Sequence, residues 1–414
     1  MTGGCALKRS LIRWVCLWAA AVLLLFGATA SAESGTCGDG VAWEYDESSA
    51  TLSVTYTGSG SGAMQEYAKL SDTPWYAIRK SVKHLIVGEG VTAIAKLSFW
   101  ELTVMEDVSL PESLRSIGNK AFDSCYKLRS VTVPEKCPDL GTSIFSACSG
   151  LKSATLPDGI KAVPAHTFNG CSALESVHIP ETVTSIEKNA FAGCTSLQSI
   201  TLPKKLGFIG AQAFRNCYAL DNVVFPSGLY WIEDEAFCRC FALSSAVFSG
   251  EMSYFGYDSF AGCTSLKVFV CNSDFADPEY TFWDYTMDMV PRLVPVGSII
   301  YCQNKMEGYT YTPESTALAV MNGGVFKTAP AANGILGTPE KEGYVLEGWY
   351  EDADFSGAPV TAYAAGGVYY AKWQKAEPAP VPRTGDTASL LPPVLAAMLS
   401  AAALAALRRR KKEA

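Results

Sequence analysis

The sequence predicts a repeat solenoid: a parallel β-sheet with short helical or 3-10 segments, followed by a small β-rich module. Three observations predict it. Phenylalanine recurs at a period of 23 residues, at Phe99, Phe122, Phe145, Phe168, Phe191, Phe214, Phe237 and Phe260, without a slip of register. Three residues after all but the first stands a cysteine (Cys125, Cys148, Cys171, Cys194, Cys217, Cys240, Cys263), and three further on a leucine, from Leu128 to Leu266. Beyond the last unit the period stops, and aromatic segments bounded by glycine and proline take over. A strict period of this length means one small unit copied and stacked, each copy burying the apolar face of the next.

Residues 1–32 read as a secretory signal peptide. Lys8, Arg9 and Arg13 precede the apolar run Trp14 to Phe26, and Ala30-Ser31-Ala32 or Ala28-Thr29-Ala30 offers a cleavage site. Residues 33–83 do not fit the period. They carry glycine-rich turns, the alternating segment Thr51 to Tyr56 and the aromatics Trp43, Trp75 and Tyr76. The first coil of a solenoid exposes an apolar face and unpaired strand edges, so this segment is expected to be the N-terminal cap.

The repeat body spans 84–271. In one unit, Val177 and Ile179 alternate as in a short strand with two side chains inward, and Pro180 ends the ladder. Val183 and Ile186 suit a loose turn, and Ala190-Phe191 a short helical or 3-10 piece. Strands of successive units are expected to pair into one sheet. Ladder cysteines would then repeat at the strand spacing of roughly 4.8 Å with parallel side chains. A disulfide wants Cβ atoms about 3.8 Å apart and turned towards each other, so the ladder reads as buried free thiols acting as small hydrophobes. Cys37, Cys137, Cys238, Cys271 and Cys302 lie outside it, and a Cys271–Cys302 bridge would close the end of the solenoid.

The unit L-x-x-[VI]-x-[LVI]-P-x-x-[LVI]-x-x-[IV]-x-x-x-A-F-x-x-C resembles the BspA-like leucine-rich repeat of bacterial surface proteins. Departures are Ser249 at the proline position and Ile144, Thr167 and Ser259 at the alanine. Cys37-Gly38-Asp39-Gly40 through Trp43, with Pro74-Trp75-Tyr76, resembles the leader that often precedes such repeats. The resemblance implies a curved scaffold with a role in adhesion or protein recognition.

Residues 272–319, with Phe275, Tyr280, Phe282, Trp283 and Tyr285, read as C-terminal cap and connector. From 320 to 374, Gly343-Tyr344, Gly348-Trp349-Tyr350 and Tyr369 to Trp373 mark short aromatic strands between turns. These motifs resemble the internalin-type B-repeat (Listeria–Bacteroides repeat), which implies a small β-grasp-like fold. Residues 375–387 form a proline-rich linker ending in Val381-Pro382-Arg383-Thr384-Gly385. Residues 388–414 are an apolar tail and the basic end Arg408 to Lys412. This order resembles a sortase sorting signal of the LPXTG-like kind. The resemblance implies cleavage at Thr384–Gly385 and attachment of Thr384 to peptidoglycan, by a variant or class-specific sortase because Val381 stands where leucine is usual. A plain C-terminal membrane anchor is the other reading of an apolar tail ahead of a basic cluster.

Formal net charge is -8; removal of leader and tail leaves 25 basic against 39 acidic side chains, about -14. That disfavours nucleic acid as a partner. His84, His166 and His178 share no metal-ligand spacing, Cys238-x-Cys240 is too tight for a zinc knuckle, and Glu351-Asp352-x-Asp354 suits a solvated loop better than a calcium site. No phosphate loop or acid–base pair is evident, so no catalytic residue, cofactor or metal is expected.

Recognition has more support. The outward column Arg129, Lys152, Glu175, Gln198, Asp221, Ser244, Lys267 is polar and varied. A second column reads Ser116, Asp139, Ala162, Ser185 and then Phe208, Trp231, Tyr254, with Tyr230 alongside. Exposed, Phe208, Tyr230, Trp231 and Tyr254 would be a binding stripe for a protein or carbohydrate. The competing reading lays the aromatic cap of 272–300 across them. The sequence therefore reads as an exported cell-surface protein attached to the cell wall, an adhesin or protein-binding scaffold rather than an enzyme. The alternative is a structural or assembly component of the envelope without a host ligand.

Overall fold

A computed structural model describes residues 33–248, 250, 252–256, 258–271, 299–302, 317–321, 324–326, 330–331, 334–364 and 367–376. The expected leader, the segment 272–298, the sorting motif Val381 to Gly385 and the tail 388–414 lie outside the described residues. By its contacts the chain divides into Met1–Gln374 and Lys375–Ala414; the second unit has only Lys375 and Ala376 among the described residues. No helix among the described residues is long and apolar enough to cross a membrane.

Each coil has three sides. The first is the strand foreseen from the alternation: Ser130–Thr132, Ser153–Thr155 and Ser176–His178 pair in parallel, Ser130 against Ser153 against Ser176. The second is also a strand. Ala162–Val163, Ser185–Ile186, Phe208–Ile209, Trp231–Ile232 and Tyr254–Phe255 form another parallel ladder. The expected single sheet and loose turn are thus corrected to two ladders. Two-residue strands leave no alternation to read, and their amides donate to the preceding coil: the Thr184 amide to the Lys161 carbonyl at 2.8 Å, the Glu187 amide to that of Val163 at 3.0 Å.

The third side, around Ala190-Phe191, is turn rather than helix; the one 3-10 helix among the described residues, Leu70–Asp72, lies ahead of the repeat. The physical reason is a pair of left-handed residues four apart in every coil, such as Asn189 and Gly193 at φ 56° and 76°. A left-handed residue interrupts right-handed propagation. Amides here alternate in use. Asn189, Phe191 and Gly193 donate to Ala211, Ala213 and Arg215 of the next coil at 3.0, 2.8 and 2.7 Å, while Ala190, Ala192 and Cys194 close local four-residue turns. Most of these left-handed sites hold non-glycine residues, among them Leu97, Lys120 and His166. The conformation costs on the order of 1 kcal/mol each, offset by bonds that exist only in the stack.

Inside the coils, rings of successive phenylalanines from Phe99 to Phe260 lie 5.0 to 5.8 Å apart at interplanar angles of 5° to 28°. All eight are fully buried. Ring pairs of this kind contribute about 0.5–1.5 kcal/mol beyond their buried area. The ladder thiols are buried and unbridged, and they are more than small hydrophobes. Each donates to the carbonyl of a phenylalanine 26 residues earlier, Cys148 to Phe122 at 3.1 Å and Cys194 to Phe168 at 3.3 Å. The column thereby satisfies a row of buried acceptors, which explains a polarisable donor at every copy.

At the first edge, strands Glu33–Gly38, Val41–Asp46 and Thr51–Tyr56 run antiparallel, and Thr51–Tyr56 pairs in parallel with His84–Val87. Trp75 stacks on Phe99 at 5.4 Å and donates its indole N–H to the Ser98 carbonyl at 2.7 Å. At the other end, Val268–Cys271 pairs in parallel with Ile299–Cys302, which puts Cys271 and Cys302 in register, and the order continues through Ala317–Val320, Val368–Lys375 and Tyr344–Tyr350. A second core forms on the outer face of this sheet, from Val268 and Val270 to Ala319, Trp349 and Tyr369.

Candidate functional site

The second ladder carries Phe208, Trp231 and Tyr254 as direct register partners on consecutive coils. Each precedes an inward residue, Ile209, Ile232 or Phe255, so the pleat turns the aromatics outward. The Trp231 and Tyr254 rings stack at 4.4 Å and 25°. Phe208, Trp231 and Tyr254 are half-buried. Tyr230 is 49% exposed, its ring lying over Gly207, where an added Cβ would meet Tyr230 Cε1 at 2.7 Å. A side chain at 207 would displace that ring. The structure thus brings Phe208, Trp231 and Tyr254 onto the outward side of three consecutive coils, with Tyr230 exposed at the position before Trp231.

Beside the stripe the chain turns through Glu233, Asp234 and Glu235. Glu233 accepts the Ala211 amide at 2.9 Å, and Glu235 pairs with Arg215 at 3.0 Å. The Tyr254 phenol bonds to the Asp234 carboxylate, and burial, then the charges of Asp234 and Glu233, push its pKa up. Trp231 Nε1 is buried without a hydrogen-bond partner, and the indole face is stacked on Tyr254.

Two other surfaces escaped sequence reading. Tyr218 and Phe241 stack at 4.8 Å and 12°, each 40% exposed, at the corner after the cysteine column. Their signal was two consecutive aromatics in a column that otherwise reads Tyr126, Ser149, Ser172, Thr195 and Thr264. In the C-terminal region a groove of about 670 Å³ lies among Lys341, Tyr344, Leu346 and Trp373, with the Lys341 ammonium 4.8 Å from the Tyr344 ring.

The varied polar column pairs with itself between coils: Arg129 with Glu106 at 2.7 Å, Lys152 with Glu175 at 3.5 Å, Ser244 with Asp221 at 2.8 Å. His178 is exposed on the first ladder. His166 is half-buried, and burial with Lys188 and Lys120 nearby lowers its pKa. Asp352 is engaged in its own turn, accepting the Ser356 and Gly357 amides at 3.0 and 3.3 Å, which holds its carboxyl below the usual range. Among the described residues no His, Cys, Asp and Glu group could hold a metal ion.

Coils with two parallel ladders and a stacked aromatic interior define a leucine-rich repeat solenoid. The chain matches the family described as BspA type leucine rich repeat region in six copies, over residues 75–194 and 161–287, more than half of its length. It belongs to that family. Among solved structures it is similar to a leucine-rich repeat protein from Eubacterium ventriosum (18% identity, 58% of this chain and 78% of that one, TM-score 0.37). It is also similar to a leucine rich cell surface protein from Faecalibacterium prausnitzii (20%, 71% and 90%, TM-score 0.38). A third is the leucine rich repeat protein of T. pallidum (25%, 44% and 87%, TM-score 0.35). No curated protein matches the chain.

Proposed function

We propose that this protein is an exported recognition scaffold of the bacterial cell surface, attached to the cell wall through Thr384 and using its solenoid to bind a protein or carbohydrate partner. The observation that carries the reading is the contrast between columns. Inward positions repeat Phe, Cys and Leu, while the outward face of the second ladder changes to aromatics on three successive coils. Packing accounts for the first pattern and does not require the second. A stiff stack of short coils holds such a face at fixed spacing, which lowers the ordering cost of binding. The family membership and the surface description of a similar structure support export.

Two measurements test the reading. Muralytic digestion of the native host should release Thr384 carrying a peptidoglycan stem fragment; a mature chain that retains Ala414 in the membrane fraction overturns wall attachment. Full-length protein should bind host cells or matrix saturably; binding confined to the producer's own wall would make it an envelope component instead.

A further inference from the structure

The strand Tyr344–Tyr350 is the last of its sheet, with Val368–Lys375 as its one neighbour in the order. On its other side the Val360 amide donates to the Trp349 carbonyl at 2.7 Å. Successive residues of a strand turn their N–H and C=O to alternate edges, so Val345 and Glu347 turn theirs to the same outer side as Trp349. Among the described residues no backbone group pairs with them there. Val345 is 59% exposed, and Glu347 is exposed as well. The edge runs into the groove of about 670 Å³, whose wall includes Tyr344, Val345 and Leu346 of this strand. Its other walls are held firmly. Val325 and Glu340 exchange two amide bonds at 2.9 and 2.8 Å, and the Trp373 indole donates to the Met321 carbonyl at 2.8 Å.

We infer that this edge and groove are a docking site for an extended segment of a partner protein, with apolar side chains at alternate positions and a lysine or arginine at its flank. The segment adds a strand to the sheet. Its main chain pairs with the amides and carbonyls of Val345 and Glu347, and every second side chain enters the groove against Val325, Leu346 and Trp373. A bare edge by itself pairs with any strand; the groove supplies the selectivity that backbone bonds lack. Charge chooses the occupant. Glu347 is held by Lys372 at 2.7 Å, whereas Glu342, exposed on the groove wall, has no ion pair among the described residues. A basic flank answers Glu342. A second copy of the chain would instead bring Glu340, Glu342 and Glu347 towards their own counterparts. The site shares no residue with the aromatic stripe and does not rest on the role proposed for it.

Panning of a phage-displayed random heptapeptide library on the full-length protein tests this, followed by calorimetric titration with the most enriched sequence as a synthetic peptide. Enriched peptides should alternate apolar and polar residues and carry Lys or Arg at one end. N-methylation of every second peptide amide should abolish binding in one phase and leave it nearly unchanged in the other, because only alternate amides face the edge. Val345→Pro removes an outward N–H on an edge strand, where proline is tolerated, and should weaken the peptide roughly tenfold. The methylation phases are read on the parent protein, so the test holds even where that variant does not fold. No enrichment above background, equal loss in both phases, or undiminished binding to a folded Val345→Pro protein overturns the site. Sedimentation of the full-length protein covers the other occupant: a dimer that Val345→Pro makes monomeric assigns the edge to a second copy and overturns the partner segment.

Discussion

The two ends of the solenoid are built from the same coil and closed in different ways. At the first edge the outward side of the first ladder is polar, with Ser130, Thr132, Ser153 and Thr155, and only the open edge is covered, by Thr51–Tyr56 and the indole of Trp75 on Phe99. At the far end the same outward column turns to Val224, Val247 and Val270, joined by Val268. Val224 is 83% exposed, Val247 half-buried and Val270 fully buried under the second core. A β-strand has two faces, and the polarity of the outer one decides whether a second layer packs there. Three valines after Ser109, Thr132, Thr155, His178 and Thr201 in the same column announce where the solenoid stops being one layer thick.

Substitutions on the two faces separate these regions. The largest effect belongs to the shared interior. Phe191→Ala removes a ring stacked on both sides and should cost about 3–5 kcal/mol, read from the urea midpoint of the parent and variant. Val270→Asp places a carboxylate in the second core. It should release hydrogen exchange in Val368–Lys375 while leaving protection of Ser153–Thr155 unchanged; equal loss in both would show that the two cores unfold as one.

The thiol column gives a pH test. Burial pushes Cys217 and Cys263 up to about 12 from an ordinary 9.0. Above pH 9 the unfolded chain sheds those protons and the folded chain keeps them, so unfolding is favoured as pH rises. Stability should be fully present below pH 9 and decline through the window up to about pH 12, and Cys217→Ala should flatten that decline. A midpoint unchanged across the window would mean that the column is hydrated. Smaller still, Gly193→Ala keeps ordinary contact with Gly170 and loses only the ease of a left-handed φ of 76°, about 1 kcal/mol. Arg129→Ala removes an exposed 2.7 Å pair with Glu106 and should move stability by less than about 1 kcal/mol in a thermal melt.

Legibility tracked period. The Phe, Cys and Leu columns and the Val177 strand were readable because a residue that packs against its own copy must recur in phase. The stripe was readable as a break in one column. The second ladder was not, because a two-residue strand shows no alternation and its partners sit one coil away. The same holds for the thiol donors, whose acceptor is a backbone carbonyl 26 residues earlier, and for Tyr218 beside Phe241, which meet only once the coils stack. By itself the sequence determined the unit, its copy number and which side chains face inward, since burial is a property each repeat declares through residue type. Tertiary structure alone decided the left-handed turns at Asn189 and its equivalents, the second sheet, and the layer that packs on Val268 and Val270. Those depend on hydrogen bonds and contacts between coils, and no single coil contains both partners.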